Sequence, residues 1–111
     1  MALIVTPGQL ARRSSLYHQL AQLTSAGIGL TAAFQQLQRH PPSADFGDAF
    51  RQINAELARG RTFSESLDAC ANWFPEFDRS LLLAGEQSGR LDQSFKLLDD
   101  YYASRALAAR K

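Results

Sequence analysis

Residues 46–65, FGDAFRQINAELARGRTFSE, decide the fold class. Phe46, Phe50, Ile53 and Leu57 recur at the four-three-four spacing of one helical face, while Asp48, Arg51, Gln52, Glu56 and Arg59 fill the other. Gly60 stops this helix. Thr62-Phe63-Ser64-Glu65 then has the form of a capping box, in which the hydroxyl and the carboxylate each satisfy the other residue's backbone N–H. A helix that stops on glycine and restarts at once belongs to a bundle of short, antiparallel helices.

The same punctuation runs outward in both directions. Thr6-Pro7 is a helix-start signature, and Leu16, Leu20, Leu23 and Gly27 mark one face of a helix from about Gln9 to Ala26. Gly27 suits the left-handed end of that helix. Thr31 is the expected N-cap of a short second helix carrying Ala33, Phe34 and Leu37, which His40-Pro41-Pro42-Ser43 terminates. Beyond Thr62, a short fourth helix carries Phe63, Leu67 and Cys70. Pro75 opens a fifth, whose expected inner face is Phe77, Leu81 and Ala84, with Glu76 and Asp78 against the positive end of its dipole. Gly89 separates it from a last helix bearing Leu91, Phe95, Leu98 and Tyr102. The expectation is an all-α, compact antiparallel bundle of about six helices. Residues 1–8 form a lead-in, and residues 9–111 a single domain.

Composition agrees. The 111 residues suit one domain, and 45% hydrophobic with 21% charged residues is ordinary globular usage. No apolar run approaches the roughly 20 residues needed to cross a bilayer. Met1 to Val5 is too short and lacks the basic flank of a secretory signal. The formal net charge of +1 conceals a pattern. Residues 1–40 carry Arg12, Arg13 and Arg39 and no acid, residues 41–100 have a net charge of −5, and Arg105, Arg110 and Lys111 make the end +3.

Catalytic chemistry finds no footing. Cys70 is the only cysteine and sits on an apolar stripe, where free cysteine behaves as a small hydrophobe. His18 and His40 have no partner at catalytic or metal-ligand spacing. Asp99 and Asp100 read as a solvated face, and no cofactor is expected. Glu86 is the exception, because a carboxylate in the last turn of a helix opposes the dipole. It is expected to cap the following helix across the Ser88-Gly89 turn, near Arg90, Leu91 and Asp92. The rival reading makes Glu86 and Asp92 part of a cation or partner site.

At these residues a resemblance appears. Phe74-Pro75, then Ala84-Gly85-Glu86-Gln87-Ser88-Gly89-Arg90-Leu91-Asp92, then Tyr101-Tyr102 resembles the cytoplasmic domain of the type II secretion system F family. These are inner-membrane platform proteins shared with type IV pilus assembly. Leu20-Ala21-Gln22-Leu23 through Ala26-Gly27-Ile28-Gly29-Leu30 is similar to the family's opening motif. So are Leu57 and Gly60 before Phe63-Ser64-Glu65-Ser66-Leu67. The family motif positions are therefore Gly27, Gly60, Pro75, Gly85, Glu86, Gly89, Leu91 and Asp92. Gly29 stands where the family commonly has proline, and Phe34 where a small aliphatic residue is frequent.

The resemblance implies a six-helix bundle without catalytic activity. It also implies a full-length protein with two such domains separated by membrane segments, contacting the cytoplasmic assembly ATPase so that ATP hydrolysis drives extrusion of pilin-like subunits. Arg105, Arg110 and Lys111 then read as juxtamembrane residues obeying the positive-inside rule, with a transmembrane helix expected just after them; the rival reading is a basic C-terminal turn that complements the helix dipole. The domain would lie at the cytoplasmic face of the bacterial inner membrane. Glu86, Asp92, Asp99 and Asp100 form the candidate partner face within the acidic middle, and the basic ends face anionic lipid. Homodimerisation through Phe95, Tyr101 and Tyr102 is compatible with this role. The alternative function is a small helical nucleic-acid-binding module. Its weakness is that Arg51, Arg59, Arg61, Arg79 and Arg90 alternate with acids rather than clustering.

Overall fold

The computed structural model describes Ile4 and residues 6–110. Lys111, and Met1 to Leu3 and Val5 of the lead-in, lie outside the described residues. The described residues form six α-helices and no strand: α1 (Pro7–Ser25), α2 (Leu30–Arg39), α3 (Gly47–Ala58), α4 (Phe63–Ala69), α5 (Glu76–Ser88) and α6 (Leu91–Ala109). A single 3-10 turn, Ala44–Phe46, leads into α3.

Local chemistry sets most of the boundaries. Thr6 caps α1 through its hydroxyl, with Pro7 in the first turn and Gln9 completing a capping box. Gly27, Gly60 and Gly89 all adopt positive φ, which a residue with a Cβ rarely does, so helix-ending turns fall on these three glycines. Thr31 is not the N-cap of α2. Gly29 takes that place with an extended backbone (φ −67°, ψ 158°), and its carbonyl accepts the first helical bond, from Ala33 at 2.9 Å. Thr31 thus falls inside the first turn, exposed.

Each helix packs on its neighbours in sequence, and α6 returns along the length of α1, closing the bundle into a ring. The α1–α6 pair is antiparallel: Ser14 and His18 meet Asp99, while Leu10, near the start of α1, lines one cleft with Arg105, Ala108 and Ala109 near the end of α6. Aromatic rings thread the core. Phe46, Phe50, Phe34, Phe63, Phe95, Tyr17 and Tyr102 form an unbroken series with centroids 5.6–6.2 Å apart. Burying each contributes about 1.5–3 kcal/mol, and the series ties α3, α2, α4, α6 and α1 into one core.

Of the expected inner face of α5, Leu81 is half-buried against the core, while Phe77 and Ala84 are exposed. Asp78, Leu82 and Gly85 are buried instead, one residue further round, and Phe77 is 53% exposed. Two forces turn the helix: phenols that draw Asp78 inward, and a close crossing with α6 that only Gly85 permits. The expected stripe runs along the outer α5–α6 seam, where the Phe77 ring lies 4.8 Å from Tyr101.

Candidate functional site

The segment Ala84 to Asp92 shapes the α4–α5–α6 corner, with a separate task for each of three residues. Gly89 ends α5 at φ 73°, and the chain reverses through bonds from Gly89 N–H to Glu86 O and from Arg90 N–H to Gly85 O (2.8 Å). Gly85 faces α6 at very short range. A Cβ there would stand 2.9 Å from Ser94 Cβ and closer still to its hydroxyl, and 3.3 Å from the Arg90 carbonyl oxygen. The two helices cross on a bare backbone.

Glu86 does not cap α6. Arg90 holds the N-cap position of α6 without a side-chain cap. Glu86 shares the flank of α5 that carries Leu83 and faces α4, so its carboxylate turns away from the Gly89 reversal. Its Oε2 accepts from the N–H groups of Phe63 (2.9 Å) and Ser64 (3.4 Å), and its Oε1 from the Ser64 hydroxyl (2.8 Å). The capping box supplies the rest, Thr62 N–H donating to Glu65 and Glu65 N–H to Thr62 Oγ1. The first four donors of α4 are all satisfied. The Thr62 N–H bond also holds the Glu65 carboxyl below its ordinary range. A seven-residue helix is marginal alone, and Glu86 anchors it to α5.

A second polar assembly lies at the centre of the bundle. Asp78 is fully buried; Tyr17 OH donates to its Oδ2 and Tyr102 OH to its Oδ1, both at 2.6 Å. Burial raises the Asp78 carboxyl against the opposing pull of both phenols and of Arg13. Burial and the adjacent carboxylate push both tyrosines above their ordinary value. Arg13, 5% exposed, lies over the Trp73 indole at 3.5 Å and donates to the Trp73 carbonyl. The assembly joins α1, α5, α6 and the turn at Trp73. Sequence reasoning missed it because Asp78 already had an account as an N-terminal acid. The usable signal was Arg13 and Tyr17, one turn apart beside the apolar face of α1.

The expected partner face separates into unlike parts. Glu86 is engaged by α4. Asp99 is engaged by α1, accepting from Ser14 Oγ at 2.6 Å and pairing with His18 Nδ1 at 3.0 Å, so it is half-buried between the helices rather than freely solvated. The serine donates to the carboxylate rather than to the imidazole, which clamps two helices and activates no nucleophile. Asp92 and Asp100 engage no donor among the described residues, and Asp92 lines a shallow cleft with Glu86 and Gly89. No group of three or more metal-ligating side chains occurs among the described residues.

The expected dimer edge also changes: Phe95 and Tyr102 are core residues, and only Tyr101 is exposed, at 38%. Arg105 lies over the Tyr101 ring, and Arg110 is exposed at the end of α6. Arg51, Arg59, Arg61 and Arg79 each pair with a carboxylate, leaving no bare basic stripe among them for phosphates. Cys70 is buried, which pushes its thiol up to about 11. No described helix is long and apolar enough to cross a membrane.

Comparison with known proteins places this geometry. Residues 16–111 match the family model for type II secretion system protein F. The chain is 31% identical over 87 residues to the type II secretion system protein F of Vibrio cholerae, covering 78% of this chain and 21% of that protein. It is 29% identical over 97 residues to the protein transport protein HofC homolog of Escherichia coli, covering 86% and 24%. With the type 4 fimbrial assembly protein PilC of Pseudomonas putida it shares 31% over 80 residues, covering 72% and 20%. The chain thus spans between 20% and 24% of the length of these relatives.

Proposed function

The chain belongs to the type II secretion system protein F family, and on that footing we propose that it is a non-catalytic scaffold domain on the cytoplasmic face of a bacterial inner-membrane platform. The domain docks the assembly ATPase and neighbouring components, so that ATP hydrolysis is coupled to extrusion of pilin-like subunits. The observation that carries this reading is the rigid corner at Gly85, Glu86 and Gly89. Its polar groups satisfy backbone and neighbouring helices and leave no nucleophile activated, as suits a scaffold.

Asp92 and Asp100 are the members of the acidic face left to meet a partner. The basic residues Arg105 and Arg110 at the end of α6 face anionic lipid. A second copy is a further partner, through the seam where Phe77 and Leu97 are 53% and 57% exposed beside Tyr101. A pull-down with the cognate ATPase tests the scaffold reading. Binding is expected to weaken with rising salt and with the double variant Asp92→Lys, Asp100→Lys. Capture that ignores both rejects the acidic face, and absence of capture by the full-length protein rejects ATPase docking. Light scattering that gives the mass of one chain at every concentration rejects the dimer.

A further inference from the structure

The second half of α6 is only partly covered by the fold. Between Tyr101 and Arg110, Tyr102 and Ala106 alone are buried, Tyr102 by stacking on Tyr17 and donating to Asp78. The other side chains stand out from the bundle. Leu107 is 64% exposed, more than any other large hydrophobic side chain among the described residues, and Ala103 and Ala108 are exposed before and after it.

The same stretch is basic. Arg105 and Arg110 are exposed, the stretch contains no acidic residue, and neither arginine pairs with a carboxylate among the described residues. The antiparallel frame brings the start of α1 to this end, where Leu10 lines a cleft with Arg105 and Ala108, and the first turn of α1 adds no acid. Arg105 lies over the Tyr101 ring at 5.4 Å, which keeps its cation beside apolar surface. Charge and hydropathy together select the partner. Unpaired arginines attract anions, and an exposed leucine gains by leaving water; a layer of lipid phosphates above an acyl boundary offers both at adjacent depths. Arginine can lay its stem along apolar surface with its head at the phosphates, and a tyrosine ring settles at headgroup level.

We propose that the end of α6 from Tyr101 to Arg110 docks on an anionic lipid surface, with Leu107 entering the acyl boundary and Arg105 and Arg110 meeting headgroup phosphates. This contact rests on the membrane-side placement of the domain given above and adds an orientation to it. Asp92, near the opposite end of α6, stands about 24 Å from Ala108 along the helix, so it points away from the lipid and stays open to a protein partner.

Sedimentation with vesicles tests the docking. The 111-residue chain is expected to bind vesicles of phosphatidylglycerol, to release them as sodium chloride is raised, and not to bind phosphatidylcholine. The double variant Arg105→Gln, Arg110→Gln should weaken binding about tenfold or more, and Leu107→Ser about fivefold or more. Melting temperatures are expected to stay unchanged, because all three side chains are exposed. An environment-sensitive fluorophore reads the orientation. The native Cys70 is buried, so the label is carried by Ala108→Cys or by Gln93→Cys, and phosphatidylglycerol vesicles should shift its emission to the blue in the first and not in the second. Absence of binding to phosphatidylglycerol by folded protein, equal binding to both lipids, full binding by either variant, or a blue shift in Gln93→Cys overturns the docking. ATPase capture uses no lipid: capture without vesicle binding rejects this lipid surface alone, and vesicle binding without capture rejects ATPase docking alone.

Discussion

Asp78 shows how much one side chain can hold while escaping notice in the sequence. An isolated carboxylate inside a bundle costs several kcal/mol of desolvation, and here two phenols and a nearby guanidinium offset it. Truncation in Asp78→Ala strands both phenols, and urea unfolding is expected to show a loss of about 2–5 kcal/mol. The direction of its pKa shift fixes the pH dependence. Burial raises the native carboxyl above its unfolded value, so the native state binds the proton more tightly. Its contribution is complete below the unfolded value and is lost as pH rises through the native one. The stability of the parent relative to Asp78→Asn should therefore fall as pH rises above the ordinary aspartate range; a difference that stays flat or rises rejects the shift. Glu65 has the opposite sign: its native value is lowered, so its stabilisation is lost as pH falls, and Glu65→Gln should reduce that acid loss. Glu65 was legible because capping boxes are local, whereas Asp78 pairs with residues 61 and 24 positions away, and no pattern in a single sequence encodes that.

Helix existence followed from glycine, proline and capping residues, all of which act within a few positions. Helix orientation did not, and α5 shows why. Phe77, Leu81 and Ala84 form as regular a stripe as Asp78, Leu82 and Gly85, and only the neighbours decide between them. Gly85 decides at the α6 side. Adding a methyl group in Gly85→Ala forces it into Ser94, and a loss of about 1–3 kcal/mol is expected. Ser94→Gly in that background should recover part of it, and a double-mutant cycle without coupling between the two positions rejects the close crossing. Glu86 decides at the α4 side. Glu86→Ala releases the amides of Phe63 and Ser64, and a loss of about 1–2 kcal/mol is expected together with faster hydrogen exchange at those two groups. Acceleration confined to the first turn of α6 would reinstate the cap that the sequence suggested.

At the scale of the molecule, the long antiparallel pair α1–α6 frames the shorter helices. Each of the two has 19 residues, or about 28 Å of helix, in a body 43 Å long. Side chains lock them at two levels: Ser14 and His18 on Asp99, and Tyr17 against Phe95 and Tyr102. By contrast, α2 and α4 have ten and seven residues and bury three side chains each. Opening a short helix exposes less apolar area and breaks fewer hydrogen bonds than separating the frame, so local opening should cost least there. Native-state hydrogen exchange is expected to find the slowest amides at Leu16 to Leu20 and Phe95 to Tyr102, exchanging only by global unfolding. Amides of α2 and α4 should exchange through smaller openings with weak dependence on denaturant. Breaking the Asp99 clamp in Asp99→Ala should speed exchange in α1 and α6 together, because the two helices lose one shared restraint. Slowest exchange in α3 or α5, or loosening of α6 alone, would mean that the frame is not the most stable unit. Within that ranking the Glu86 bonds fasten the first turn of α4 to α5, so the short helix keeps its place against the corner even though its far end opens more readily than the frame.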